Sequence, residues 1–231
     1  MASVSDTRAG SRLRRLAQAS TTEREVQAEH CDLCHAPMGA DHRHLLALDS
    51  RELQCTCRAC ALLFDRRAAG GGHLRLVPDR RLRVMDFAMD DLAWAQLRLP
   101  VDMAFFFHHS QAGRVMAFYP GPMGATESLL ELEAWRALEA ANPVLATLEE
   151  DVEALLVNRA RGANGHWVVP IDVPYELVGL IRMHWKGLTG GKPVWEEIGR
   201  FYEALDRRSR PASRTGERWT QAAAPAAAEG G

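Results

Sequence analysis

No apolar run in the 231 residues approaches the ~18–20 that a membrane-spanning helix needs. The longest, residues 103–107, is only strand-sized. An excess of charge is missing too. Twenty-eight basic and 30 acidic side chains leave a formal charge of −2, whereas wholesale nucleic-acid binding needs a strong basic excess. Arg8, Arg12, Arg14 and Arg15 are followed by no continuous apolar stretch, so they do not introduce a secretory signal, and a cytoplasmic location is expected. Cysteine is absent from everything after Cys60. A disulfide framework would spread over the chain and use an even number of thiols, so that class is set aside. There is also no phosphate-loop lysine, dinucleotide fingerprint or nucleophile elbow. A non-catalytic role is therefore expected.

What is present is a cluster of five cysteines in a chain of ordinary globular composition, 47% hydrophobic and 25% charged. Cys31 and Cys34 form one C-x-x-C turn, and Cys57 and Cys60 form a second, with 22 residues between the pairs. Each turn can place two sulfurs on one side of a metal ion, and the intervening chain returns to supply the other two. Residues 44–50 and 51–55 read as two short strands around an Asp-Ser-Arg turn, a hairpin that would bring the two turns together. Cys31, Cys34, Cys57 and Cys60 are thus the expected ligands. Zinc is the leading ion, and a rubredoxin-like iron or an iron–sulfur cluster is the alternative. His35 and Ala61 stand where rubredoxin-like sites usually have Pro or Gly, which favours zinc. Four thiolates and one divalent ion sum to −2, and Arg51, Arg58, Arg66 and Arg67 would offset that charge. Cys55 is the spare thiol, open to reading as a substitute ligand, a redox group or a small buried side chain. His30, His35, His42 and His44 crowd the same stretch, as neighbours of the ligands or as the fourth ligand of a three-cysteine, one-histidine site.

The expected organisation is an arm over 1–28, a zinc-ribbon-like module over 29–66, a connector over 67–84, an α+β domain over 85–206 and a disordered tail over 207–231. Neither tail should bury apolar surface. In the larger domain, Asp90 caps a short helix through Leu97. Residues 103–109 and 114–119 read as a hairpin, followed by a helix over about 126–141. A second hairpin over 152–159 and 166–171 leads into a helix opened by Asp172 or Pro174, and a last helix runs from Pro193 to about Arg207. The recurrence suggests a β-β-α pseudo-repeat, with an antiparallel sheet carrying its helices on one face.

Charge is segregated along the chain. Residues 51–83 hold eight arginines and three acids, and residues 127–153 hold eight acids and one arginine. These stretches read as solvated faces, as docking patches for a partner, or as surfaces that attract each other within the molecule. The basic stretch also supports a weaker reading as a zinc-ribbon nucleic-acid-binding regulator. His108 and His109 end an apolar strand, a usual place for half-exposed hairpin residues. Asp172, Tyr175 and Glu176 sit at a strand-to-helix turn where an acid can cap the helix, and residues 121–128 could present a helix N-terminus to an anion.

Together, CDLC, HRHLLALDSRELQCTCRACALLF, AFYPGPMGATESLL and VPIDVPYELVGLIRMHWKG, spanning roughly residues 29–206, resemble an uncharacterised bacterial family encoded beside actinobacterial-type nickel–iron hydrogenases. The resemblance implies a hydrogenase accessory protein acting in assembly, electron transfer or regulation. Its partner would be a hydrogenase subunit or maturation factor.

Overall fold

The computed structural model describes residues 29–39, 41–64, 72–187 and 189–219. The expected arm over 1–28 lies outside them. The fold is α+β, with a cysteine cluster near the N-terminus followed by a large sheet and helices. Among the described residues, no helix is long and apolar enough to cross a membrane.

Strands β1 (Arg43–Ala47), β2 (Leu53–Thr56) and β3 (Leu74–Leu76) form a small antiparallel sheet in the order β2-β1-β3. A four-residue turn over 48–51, closed by Ala47 N–H on Glu52 O, joins β1 to β2 and sets Leu46 opposite Leu53 and His44 opposite Cys55. Successive strand residues face opposite ways, so His44, Leu46, Leu53 and Cys55 share one face. Leu46 on that face belongs to the main core, and Leu53 packs against it. Helix α1 (Arg58–Leu63) follows β2 and packs on β1.

The large sheet runs β10-β4-β9-β8-β5-β6-β7, from β4 (Leu82–Val84), β5 (Met103–His109), β6 (Arg114–Gly121), β7 (Gly124–Ser128), β8 (Glu153–Asn158), β9 (Gly165–Pro170) and β10 (Arg210–Ala212). Its neighbours are antiparallel except β10 and β4, which are parallel. Every residue of β8 and β9 is buried, the pattern of strands covered on both sides. Phe105, Phe107, Leu156 and Val169 face helices α4 (Asp172–His184) and α5 (Gly191–Arg208). Phe106, Leu155, Val157 and Val168 face α2 (Asp91–Gln96), α3 (Leu132–Ala141) and a 3₁₀ turn over Pro143–Thr147. Helices therefore cover both faces, where the sequence predicted one. The cause is legible in β5 itself, whose first five residues are all buried and so need a lining on either side. The hairpin–helix grammar does recur, but α3 and α4 lie on opposite faces. A two-fold axis relating the antiparallel pair β5 and β8 would put both helices on the same face, so the two units are not a symmetric repeat.

Three other expectations shift. Residues 124–128 are a strand rather than the start of a helix, because a tight turn over 122–123, with Gly124 at φ +126°, folds the chain back onto β6. The connector supplies β3 and β4. The expected tail supplies β10, whose Ala212 is buried in the core, while residues 220–231 lie outside the described set.

The oppositely charged stretches meet inside the molecule. Asp151, with 1% of its side chain exposed, accepts from Arg51 Nη1 at 2.8 Å, from Ser110 N–H at 3.1 Å and from Arg75 Nη1 at 3.4 Å. Arg80 Nε donates to the buried Glu153 at 2.8 Å. Arg51 at φ +61° and Asp151 at φ +65° both hold left-handed backbone, which their ion pair helps to fix. Part of each charged stretch is thus spent on joining the small sheet to the large one.

Candidate metal centre

The first C-x-x-C turn is closed by its own backbone. His35 N–H bonds Cys31 O at 2.8 Å and Cys31 N–H bonds Ala36 O at 2.9 Å. His35 takes φ +58° to complete the turn. Asp32 ties the turn to β2, its N–H reaching Cys55 O at 2.9 Å and its carboxylate accepting Cys55 N–H at 2.6 Å. The second turn is the start of α1. Cys57 is its N-cap, and the Cys57 sulfur accepts Cys60 N–H at 3.4 Å. The β1–β2 hairpin does the rest, returning the chain so that the two turns face each other.

The four sulfurs of Cys31, Cys34, Cys57 and Cys60 lie within 4.8 Å of one another, and Cys34 and Cys57 are 3.7 Å apart. A tetrahedral ion with metal–sulfur bonds of about 2.3 Å separates its sulfurs by about 3.8 Å. The donor set fits a tetrahedral thiolate ion, and all five cysteines are free of disulfides. Cys31 is fully buried, Cys57 and Cys60 are half-buried and Cys34 is exposed, so the centre has one dry side and one wet side. Burial pushes the Cys31 thiol up, but the backbone N–H groups of Cys57, Cys34 and Leu33 and the Thr56 hydroxyl outweigh it and bring the group down to about 5. Hydrogen bonds to Cys34 and Cys57 hold the Cys60 proton, raising that thiol to about 12. Without an ion, negative charge therefore gathers on Cys31 while Cys60 keeps its proton. A bound cation displaces that proton.

A family model matches residues 30–209, more than half of the chain and all four of these cysteines. The chain belongs to DUF5947, a family of unknown function. No curated protein and no solved structure matches it.

Around this DUF5947 cysteine cluster the other sequence candidates fall into place. Of the four arginines expected to offset the thiolates, Arg51 is spent on Asp151 and Arg58 stands exposed on α1. Arg66 and Arg67 lie outside the described residues. His30 and His35 are exposed. Cys55 does not join the four. Its sulfur lies instead with His42 and His44, all three donor atoms within 4.8 Å of one another. Burial, together with the charges of Asp32, Glu29 and Cys31, pushes the Cys55 thiol up.

Asp172 was expected to cap its helix. It lies inside the first turn of α4 without a capping bond, and its Oδ2 accepts His44 Nδ1–H at 2.8 Å. His108 lies 3.6 Å from Glu139 of α3, and His109 Nδ1 accepts Ala112 N–H at 3.2 Å in the hairpin turn, so both have structural partners. Residues 121–128 of the DUF5947 chain form a turn and strand, not a helix N-terminus, which removes the anion reading.

Proposed function

We propose that this DUF5947 chain is a non-catalytic, cytoplasmic accessory protein in which Cys31, Cys34, Cys57 and Cys60 hold one zinc ion. The metal-stapled module works by protein–protein contact, supporting nickel–iron hydrogenase assembly or function through a hydrogenase subunit or maturation factor. The observation that carries the metal reading is the four-sulfur cluster at zinc–thiolate spacing. The hydrogenase partner rests on the family resemblance of the motifs. Zinc at such a site contributes folding energy directly and leaves a rigid surface on a small module.

The iron alternative, a rubredoxin-like or iron–sulfur electron carrier, gains one observation: Cys60 N–H donates to the Cys57 sulfur at 3.4 Å, and hydrogen bonds to the sulfurs tune iron–thiolate potentials. Colour separates the two. Protein purified after growth with both zinc and iron should be colourless and contain zinc, and Cys34→Ser should lose an ion. Strong visible absorption with stoichiometric iron would establish the electron-transfer reading instead. For the partner, co-purification with a hydrogenase subunit or maturation factor should weaken on Arg58→Glu, which reverses an exposed charge. It is sought at low salt because exposed charges more than about 8 Å apart are largely screened at physiological ionic strength. Full hydrogenase activity in a deletion strain, with neither partner recovered, would remove the hydrogenase role and leave the metal site standing.

A further inference from the structure

We propose that His42, His44 and Cys55 form a second metal site, holding one zinc-class divalent ion with its fourth coordination position open to solvent. It does not depend on the four-cysteine reading, and none of its three ligands belongs to the four-cysteine set.

The register of the hairpin makes the site. His44 pairs directly with Cys55, and His42, two residues before His44, continues the same face. Thr56, one residue on from Cys55, points the other way and lies 3.7 Å from the Cys31 sulfur. The donor atoms of His42, His44 and Cys55 lie within 4.8 Å of one another. Nitrogen and sulfur ligands of one tetrahedral zinc stand about 3.3–3.8 Å apart, so small side-chain rotations bring all three onto an ion.

Both imidazoles are already oriented for ligation. His44 donates Nδ1–H to Asp172 Oδ2 at 2.8 Å, the carboxylate–histidine arrangement that fixes the tautomer and raises the basicity of a metal ligand. His42 places Nδ1 at 3.1 Å from Gly39 O and from Glu29 Oε2. In each ring the lone pair is therefore left on Nε2. The His42 side chain is only 10% exposed, and its Nε2 is buried without a hydrogen-bond partner. A buried acceptor with no partner is costly unless something bonds it. The edge-to-face contact of the two rings, 4.9 Å between centroids, accounts for their closeness but not for that orphan nitrogen. A cation in reach of His44 and Cys55 satisfies it.

The surroundings distinguish this site from the four-cysteine cluster. A polar cleft of about 660 Å³ runs past His42, His44 and Asp172 to Tyr175 and Glu176 on α4. His42 and His44 line that cleft, and with Cys55 they make three protein ligands, which leaves room for water on the ion, the ligand count of exchangeable and reactive zinc rather than of a closed staple.

The test is metal stoichiometry on the full chain, with Zn²⁺ by elemental analysis and Co²⁺ by absorption. Wild type binds two equivalents. His44→Ala and the near-isosteric Cys55→Ser each bind one, with the thiolate-rich Co²⁺ spectrum of the four-cysteine site retained. Cys34→Ser also loses one ion, but the ion it keeps shows the weaker charge-transfer absorption of a single thiolate. Asp172→Asn keeps His44 in place with a weaker acceptor and lowers affinity for the second ion about 10- to 100-fold. One equivalent in wild type, lost on Cys34→Ser but kept in His44→Ala, overturns this site and leaves the four-cysteine reading intact. Two equivalents retained in both His44→Ala and Cys55→Ser overturn it as well.

Discussion

Asp151 shows how one side chain can hold two parts of a fold in register. Its carboxylate is buried, yet it faces Arg51 and Arg75 of the small sheet and the N–H of Ser110 at the tip of the β5–β6 hairpin. Removing one partner of a buried ion pair strands the other, which costs about 3–5 kcal/mol. Asp151→Ala should lose stability at the lower end of that range in urea unfolding, since Arg51 keeps some solvent access. A loss below about 1 kcal/mol would mean that the arginines are already well solvated. His166 gives a second residue-scale expectation. It stacks on Phe87 at 4.4 Å between centroids, and burial, then Arg83 and Arg159, bring its pKa down from 6.5 to about 3. Below pH 6.5 the unfolded chain takes up a proton that the folded chain refuses, so stability falls as pH drops from about 6.5 towards 3, by at most about 1.4 kcal/mol per unit. His166→Phe keeps a ring on Phe87 and should flatten that limb. An unchanged acid limb would place the titration elsewhere. The four-cysteine cluster was legible residue by residue because C-x-x-C spacing is a local signal. Asp151 as an anchor was not, because no local pattern tells a buried acid from a solvated one.

Among the elements, the strands and helices visible in the sequence were those long enough to show a period. The hairpins β5–β6 and β8–β9 and helices α4 and α5 fall close to where alternation and helical spacing put them. Strands β3, β4 and β10 span three residues each, too few for any period, and exist because a neighbouring strand recruits them. The second histidine–cysteine cluster escaped for a related reason. A turn centred on Ser50 sets His44 opposite Thr56, whereas the observed four-residue turn over 48–51, closed by Ala47 N–H on Glu52 O, sets it opposite Cys55. A slip of one residue moves a side chain to the other face. The C-terminal edge can be tested by truncation. A chain ending at Trp219 keeps β10, whereas one ending at Arg208 loses it, with the buried Ala212 and its pairing to β4. The shorter chain should melt several degrees lower by calorimetry, at about 2–4 °C per kcal/mol for a protein of this size. Equal midpoints would show that β10 adds nothing to the sheet.

At the scale of the molecule, the two sheets share a core through Leu46 and Val77 but owe their order to different causes. The small sheet is short and is closed by the cysteine turns. The large sheet buries apolar side chains on both faces. Chelation should therefore raise hydrogen exchange in residues 29–64 and 74–76 while β5, β8 and β9 keep their protection. Loss of protection everywhere at once would show that the metal supports the whole fold. The position of β4 adds a matter of timing. It lies between β9 and β10, strands that follow it by some 80 and 130 residues. On the ribosome β4 emerges long before either neighbour, and its three residues have no strand to pair with in the large sheet until β9 has been made. Assembly of the large sheet thus starts in the middle of the chain and closes at its two ends. In the interval, the cysteine turns are, among the described residues, the earliest segment able to organise, and metal capture can precede the sheet on which they finally rest.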